Sequence, residues 1–494
     1  MKKNSLFLCS AAMLLSVGAL AGCGGGKTIT VWVGTESTAF YQSIANEFVE
    51  ANPDFGWKVK VSAADTGAAA GAMVQDNTSC ADLLTIAHDN IGKLSQLSRI
   101  APITNQELLA QIENDNPDSF KTVIKNKLGT ADKVYTLAVP YISQALFLYY
   151  DTRYVSDTQA QTFEGLKAAA AALGNNVKGV GVTGVDGFNF SFTLLARNVT
   201  GGKNTSSLHL YEGGVRYDTF VQDNEEVAIA HWAQRYLADP NGLYFPDSSG
   251  WEVNVNNHKL LSVIGGAWHY NAFKNVVTDD SGVAHMGCAI IPTFSLTAED
   301  VAGIDAVSYP ADDQHAPQGT NAAPQVGDTY RGGSFVDCKC FVINMAATNN
   351  SDKYEKIQQL VKFFSTKENQ QKSFVQATNV PAYAGADAYI ESLSPSAGVD
   401  AELLLMAKAQ TGMSIYGIAQ PFLDGTLNTD YYSKSCPTYY KEMLINDDGS
   451  YTIAKSRETL FKMEYVYKHG KLPAEKKMPT SFPYATDALL DADK

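Results

Sequence analysis

Four polar side chains follow two apolar runs of the sequence and can hydrogen-bond a ligand. Glu36 follows one run, and the triplet His88, Asp89 and Asn90 follows another. A few carboxylates and amides suffice to orient a polar ligand through hydrogen bonds. Neither segment, 34–37 or 87–90, contains Lys or Arg, which argues against an anionic ligand. We therefore predict that these four residues bind a neutral ligand.

Trp268 is the aromatic residue that the sequence most clearly places beyond the end of a strand, where its ring can contact a ligand. It follows Gly265 and Gly266 at the end of an apolar run, where glycines allow a sharp turn. Tyr416, in a Gly-flanked segment, is a second predicted cleft aromatic. The alternative for Trp268 is a core position, which is common for tryptophan.

The polar residues can also have roles that do not involve this ligand. His88 can hydrogen-bond its own loop, and Glu36 can be a charge favoured by the dipole of the next helix. Glu36 and Asp89 together can be the two carboxylates of a surface-anchored glycoside hydrolase, which is the main rival hypothesis. A non-sugar solute, such as a phosphate ester, polyamine or metal chelate, is a third possibility.

Sequence motifs of common enzymes do not support catalysis. The GxGxxG match at 179–184 lies inside a strand-like run instead of after it, and there is no GxSxG, P-loop or HExxH motif. The eight histidines lack the spacing of metal ligands. We predict a protein that is not an enzyme and has no catalytic residues, no metal and no cofactor.

The predicted elements place both polar segments at one edge of a sheet. Alternating apolar residues predict strands at 28–33 and 57–61, and helical spacing predicts a helix at 38–50 between them. This is a βαβ unit with parallel strands, and 82–86 is a third predicted strand. Ligands of such sheets bind outside the carboxyl ends of the strands.

The rest of the chain repeats this alternation of strands and helices. Further strands are predicted at 134–139, 145–150, 177–183, 260–264, 287–292 and 335–344, and helices at 167–173, 224–239, 354–364 and 401–410. Residues 297–331 are rich in Pro, Asp, Gln and Gly, and we predict a structureless stretch that is either a surface insertion or a functional flap.

The first 26 residues predict export. Lys2 and Lys3 precede the apolar stretch 6–20, which as a helix would reach only about 22 Å, too short for a bilayer core of roughly 30 Å. The sequence Leu-Ala-Gly-Cys at 20–23 resembles a bacterial lipobox. This resemblance implies a signal peptide over 1–22, lipidation of Cys23 and a flexible tether over 23–26, so that the protein is held on the outer face of the cell membrane.

The net charge excludes one class of partner, and the cysteines can be sorted by their expected roles. A net charge of -14, from 38 basic and 52 acidic residues, excludes a nucleic-acid-coating protein. Of seven cysteines, Cys9 leaves with the signal, and Cys23 is lipidated. The five others are expected to be structural, with at most two disulfides: Cys80, Cys288, Cys338, Cys340 and Cys436.

Five segments together resemble the extracellular solute-binding proteins of ABC importers, in the maltose-binding-protein-like sugar-binding group. They are residues 31–50, 82–104, 139–150, 265–270 and 359–381. The resemblance implies an α/β fold of the two-lobed periplasmic-binding-protein (Venus flytrap) type, with discontinuous lobes joined by hinge strands. The implied lobes are 27–141 plus 289–345 and 145–285 plus 346–494.

The same resemblance implies a function and a site. The chain is expected to capture a carbohydrate, in the form of an oligosaccharide, between its lobes and to deliver it, as a monomer, to an ABC permease. Besides Glu36, His88, Asp89, Asn90 and Trp268, it implies two further ligand-binding residues, Gln144 and Asn189. The family often has a glutamate where this sequence has Gln144. Beyond about residue 420 the sequence departs from the family pattern.

Overall fold

A computed structural model describes most of the chain. It covers residues 27–184, 189, 191–200, 211–212, 215–216, 224–244, 250–308 and 320–414, with single positions at 453, 454, 456, 458 and 462. The predicted signal peptide, Cys23, Tyr416 and Cys436 lie outside these residues.

The first five-stranded sheet begins with the predicted βαβ unit. Its strands lie in the order Lys58–Ala63, Thr28–Val33, Leu83–Ala87, Asp337–Ile343 and Ala138–Gln144. The first three strands are mutually parallel, with Val31 between Val61 and Leu83, and the last two are antiparallel to their neighbours. Ile29, Val31 and Val33 are fully buried, as their alternation predicts.

The second five-stranded sheet has the order Leu243–Tyr244, Val180–Val182, Ser262–Gly266, Leu146–Asp151 and Met286–Ala289. Its first three strands are parallel, and the strand Leu146–Asp151 runs antiparallel to both of its neighbours. All six residues of Leu146–Asp151 are buried, which fits a central strand covered on both faces.

Each sheet has its own hydrophobic core, so the molecule has two lobes. We call the lobe around the first sheet the first lobe and the other the second lobe. The chain passes between them where Ala145 alone separates the strands Ala138–Gln144 and Leu146–Asp151. It passes again at Phe335 and Val336, which belong to the second and the first core. The predicted two-lobed α/β class is confirmed.

Helices cover both sheets. The α-helices in the described residues are Thr38–Ala51, Thr66–Gln75, Ile91–Gln96, Gln106–Asp115, Asp118–Val123, Phe163–Leu173, Ser191–Leu194, Asn224–Ala238, Trp251–Asn256, Tyr270–Val276, Ala298–Val301, Ser351–Phe364, Lys367–Ala377, Ala386–Ser392 and Ala401–Ser414. Short strands pair Lys125–Lys127 with Val134–Thr136, Tyr211–Glu212 with Val215–Arg216, and Val307–Ser308 with Thr320–Asn321.

The packing departs from the predicted lobe boundaries in two places. Residues 291–335 are predicted in the first lobe, but Phe294 stacks on Trp232 in the second core, with ring centroids 3.8 Å apart. The helix Ser351–Phe364 is predicted in the second lobe, but Phe364 packs 5.2 Å from Tyr41 in the first core. In both cases the segment belongs to the lobe in which its aromatic side chain is buried. The position of the segment in the sequence does not indicate which lobe that is.

The stretch 297–331 contains secondary structure, so the prediction of a structureless stretch is wrong where the structure describes it. Ala298–Val301 is a helix with a capping box between Thr297 and Asp300. Thr329–Arg331 is the middle strand of a small sheet, between Thr293–Ser295 and Arg197–Asn198. Tyr330 is buried and anchors this sheet to the second core.

Four of the five remaining cysteines are described, and all four are free thiols: Cys80, Cys288, Cys338 and Cys340. Cys338 and Cys340 lie on one face of their strand, with sulfur atoms 3.6 Å apart. Both are completely buried in the first core, where they pack as small apolar side chains.

Candidate functional site

A cleft of about 220 Å³ lies between the two lobes. The first lobe contributes Gly34, Thr35, Glu36, Asp65, Thr66, Ile142, Gln144 and Lys339, and the second contributes Ala267, Trp268 and Asn271. Thr378 and Asn379, which follow the helix Lys367–Ala377, complete the lining. Three of the predicted site residues, Glu36, Gln144 and Trp268, are therefore brought together.

The wall on the first lobe is formed where two parallel strands end. A single 3₁₀ turn, Thr35–Ser37, follows the strand Thr28–Val33 and exposes Glu36 to the cleft. Asp65 follows the neighbouring strand and caps the helix Thr66–Gln75, accepting a hydrogen bond of 2.9 Å from the backbone N–H of Ala68. Both carboxylates thus lie at the sheet edge where ligands of parallel sheets bind.

Two antiparallel strands form the floor of the cleft. Ile142 pairs with Lys339, and Gln144 pairs with Asp337. Gln144 is only 5 % exposed, yet its side-chain amide has no hydrogen-bond partner among the described residues. Lys339 likewise forms no ion pair within the described part of the chain. Gln144 lines the cleft, and its amide is free to hydrogen-bond a ligand there, so the floor is suited to a polar ligand.

Trp268 forms the wall on the second lobe. The strand Ser262–Gly266 ends at Gly266, and the following turn leaves the Trp268 side chain 41 % exposed. The indole lies against the backbone of Gly266, where an added Cβ would come within 2.1 Å of the ring. Gly266 is therefore required for this ring position, and an exposed flat ring suits the C–H face of a sugar.

His88, Asp89 and Asn90 are not among the residues that line this cleft. His88 is buried and forms an ion pair with Asp337 through Nδ1. Asn90 donates a 2.8 Å hydrogen bond to Asp89 Oδ1. The triplet thus organises the end of the strand Leu83–Ala87, and its contact with a ligand stays a prediction.

Charges in this corner shift two pKa values. Burial works against the charge on His88, but the Asp337 carboxylate outweighs it and holds the His88 pKa well above its usual value. Burial, together with the charge of Asp337, raises the pKa of Asp89 to about 6. His88 Nε2 is buried without a hydrogen-bond partner in the described structure.

Asn189 lies elsewhere in the second lobe. It is buried, and its Oδ1 accepts a 3.0 Å hydrogen bond from Thr183 Oγ1. The backbone N–H of Thr183 in turn donates to Ile264, in the strand that leads to Trp268. Asn189 therefore supports the second sheet near the cleft, and direct ligand contact stays a prediction.

Seven polar lining residues are not among the predicted site residues: Thr35, Asp65, Thr66, Asn271, Lys339, Thr378 and Asn379. For Asp65 and Thr66 a signal is present, because they follow a predicted strand just as Glu36 does. Lys339 alternates with Cys338 and Cys340, which indicates that it lies on the opposite face of a buried strand. Thr378 and Asn379 reach the cleft only through tertiary packing.

Two α/β lobes with a polar cleft at their strand ends define the class of two-lobed binding proteins. The chain belongs to the bacterial extracellular solute-binding protein family, whose model matches residues 43–397. This family membership implies an extracytoplasmic location. In the described part of the chain, no helix is long and apolar enough to cross a membrane. Nor do the described residues contain a group of three or more His, Cys, Asp or Glu that could hold a metal ion.

Solved structures share the fold. The maltodextrin-binding protein MalE1 from L. casei BL23 superposes with a TM-score of 0.63 at 16% identity, covering 90% of this chain and 100% of its own. The GacH receptor of Streptomyces glaucescens GLA.O gives 0.62 at 15% identity, covering 91% of this chain and 100% of its own. MalE from Listeria monocytogenes gives 0.60 at 18% identity, covering 90% and 99%. No curated protein matches the chain.

Proposed function

We propose that the protein captures a carbohydrate, specifically a maltodextrin, in the cleft between its lobes and delivers it to the membrane permease of an ABC importer. The observation that carries the proposal is the composition of the cleft. An exposed indole, Trp268, lines it together with polar side chains, Glu36 and Gln144, that have no hydrogen-bond partner among the described residues. This pairing of a flat apolar surface with polar groups that are free to hydrogen-bond a ligand suits a sugar.

The ligands of proteins with the same fold support this choice. GacH is solved with acarbose, MalE from Listeria monocytogenes with maltose, and MalX from Streptococcus pneumoniae with maltopentaose. Their identities to this chain are 15 to 18%, so the proposal rests on the cleft itself and the neighbours select the sugars to test first.

The charge of the cleft bears on the ligand class. Lys339 lines it, so the absence of basic residues from the two loops no longer excludes an anion by itself. Glu36 and Asp65 line the same cleft. Their two negative charges exceed the single positive charge of Lys339, so the cleft has a net negative charge that disfavours an anionic ligand. A neutral polyol can hydrogen-bond both the carboxylates and the ammonium group without a Coulombic cost.

Reversible binding, without hydrolysis, is the proposed activity. The rival hypothesis pairs Glu36 with Asp89, but only Glu36 lines the cleft, because Asp89 belongs to the corner around His88 and Asp337. Members of the family and the structural neighbours are binding proteins. We accordingly propose that the chain has no enzymatic activity and acts as a monomer.

Membrane attachment through a lipidated Cys23 is part of the proposal. The apolar stretch 6–20, the lipobox-like sequence at 20–23 and the glycines at 24–26 support it. A diacylglyceryl anchor would supply two acyl chains, which is enough for stable anchoring. The binding lobes would then remain close to the permease on the outer face of the membrane.

Isothermal titration calorimetry tests the proposal. We expect wild-type protein to bind at least one of maltose, maltotriose and maltopentaose, and W268A to bind about 30-fold more weakly, because truncating a buried tryptophan contact typically costs about 2 kcal/mol. Failure of all three sugars to bind wild-type protein would refute the proposed function.

Two glycine variants show whether the ring position matters. In G266A the new methyl group must displace the indole, so we expect at least about threefold weaker binding although Trp268 is still present. G71A is the matched control, because an added Cβ at Gly71 meets nothing within 4 Å, and it should bind within about twofold of wild type. Equal affinity of G266A and G71A would mean that the Trp268 ring does not contact the sugar.

A further inference from the structure

Thr378 has a left-handed backbone conformation at the edge of the cleft. Its φ and ψ angles are 57° and 22°, directly after the helix Lys367–Ala377. Its backbone N–H donates to the carbonyl of Ser373, which closes the helix. Glycine, or less often asparagine, normally takes this position, and a β-branched residue with positive φ is rare because its Cβ crowds the backbone.

Local hydrogen bonding does not explain why threonine occupies this position. The Thr378 side chain has no hydrogen-bond partner among the described residues, so it neither caps the helix nor holds the turn. Strain of about 1–3 kcal/mol at such a residue persists only where the surrounding structure fixes the backbone, and it is concentrated at functional sites. Thr378 instead is one of the residues that line the cleft.

Hydrogen bonds hold the backbone next to Thr378 against two other segments of the chain. The Asn379 amide donates hydrogen bonds to Ser37 Oγ at 2.9 Å and to Ser373 Oγ at 2.8 Å. The first of these bonds connects the residue after Thr378 to the loop that carries Glu36. The backbone N–H of Ser143 donates to the carbonyl of Val380 at 2.9 Å, next to Gln144 on the cleft floor. Thr378 is thus held beside two cleft residues from different elements.

We propose that Thr378 is a ligand-contacting residue, whose hydroxyl hydrogen-bonds a sugar hydroxyl and whose backbone strain is retained for that contact. The inference rests on the proposed carbohydrate function and adds to it a residue that the strand-end pattern does not identify. A hydroxyl without an internal partner can both donate and accept, as sugar hydroxyls require.

Maltotriose titration and thermal unfolding of the ligand-free protein test the inference together. T378G removes both the strain and the hydroxyl, so we expect Tm to rise by about 1–2 °C and affinity to fall about fivefold to tenfold, as for one lost hydrogen bond. T378S keeps the hydroxyl and should bind within about twofold of wild type. Opposite changes in stability and affinity would not arise from a merely structural residue.

Ser98 provides the matched control. It is exposed, has a φ of 52°, and is not among the lining residues of the cleft. S98G should therefore raise Tm to a similar degree and leave affinity unchanged. The inference is overturned if T378G binds maltotriose as wild type does, or if its Tm falls together with its affinity. If wild-type protein binds none of maltose, maltotriose and maltopentaose, the proposed function fails as well, whereas wild-type binding with unchanged T378G affinity overturns this inference alone.

Discussion

Three ionisable side chains, His88, Asp89 and Asp337, share a corner at the end of the first sheet. The His88–Asp337 ion pair joins the strand Leu83–Ala87 to the strand that carries Lys339 into the cleft. Asp89 lies beside the pair, and burial and the Asp337 charge raise its pKa to about 6. Protonation of this corner is therefore coupled to the stability of the lobe that forms the cleft floor.

The D89N variant should become more stable than wild type as pH rises. The folded pKa of Asp89, about 6, exceeds the unfolded value of about 3.9, so folding takes up a proton between these values. The stability that Asp89 contributes is therefore largest at low pH and is lost as pH rises through 6. We expect the Tm of D89N to exceed that of wild type by about 1–3 °C more at pH 7.5 than at pH 4.5.

Asp132, whose side chain is fully exposed, is the control for this measurement. In thermal unfolding followed by circular dichroism, the Tm of D132N should differ from that of wild type by the same small amount at pH 4.5 and at pH 7.5. A D89N curve parallel to wild type from pH 4.5 to 7.5 would rule out the raised Asp89 pKa.

Among single residues, those that follow regular strands can be identified from the sequence. Alternating or apolar runs end just before Glu36 and Trp268, whereas Gln144 is identified only through the family resemblance. Asp65 satisfies the same rule as Glu36, although it is not among the predicted site residues. Thr378 could not be found, because its position depends on how the helix Lys367–Ala377 packs between the lobes.

Elements were predictable where periodicity is strong. The strand Thr28–Val33 matches its predicted bounds, and the helix predicted at 38–50 extends to Ala51. Lobe membership was less predictable. The helix Ser351–Phe364 has an apolar face that fits either sheet, and the contact of Phe364 with Tyr41 selects the first. The order of the elements along the sequence does not indicate which of the two sheets this helix covers.

The N-terminal segment should determine where the protein is found. We expect wild-type protein to fractionate with membranes and the C23A variant to be recovered without lipid, because only Cys23 can carry the acyl chains of the proposed anchor. Mass spectrometry of the mature N-terminus provides the measurement. C80A, which changes a different free thiol, should stay membrane-bound; loss of both variants from the membrane would contradict the anchor at Cys23.

Across the whole molecule, the two lobes are joined by short connections and share the cleft. Ala145 is the single residue between the crossing strands, and the Ser143 to Val380 hydrogen bond links a third segment to the same place. A bend confined to these residues would change the distance between Trp268 and the wall of the first lobe without disturbing either core. Ligand binding would favour the closed form by the difference in its affinity for the two states.

A crystal structure with maltotriose bound would show whether the cleft between the lobes is the sugar site. We predict that a glucose ring of the ligand stacks on Trp268 between the two lobes, with its hydroxyl groups within hydrogen-bond distance of Glu36 and Gln144. The sugar should be enclosed by residues of both lobes. A sugar bound outside this cleft, or inside it without contact to Trp268, would contradict the proposed function of the cleft.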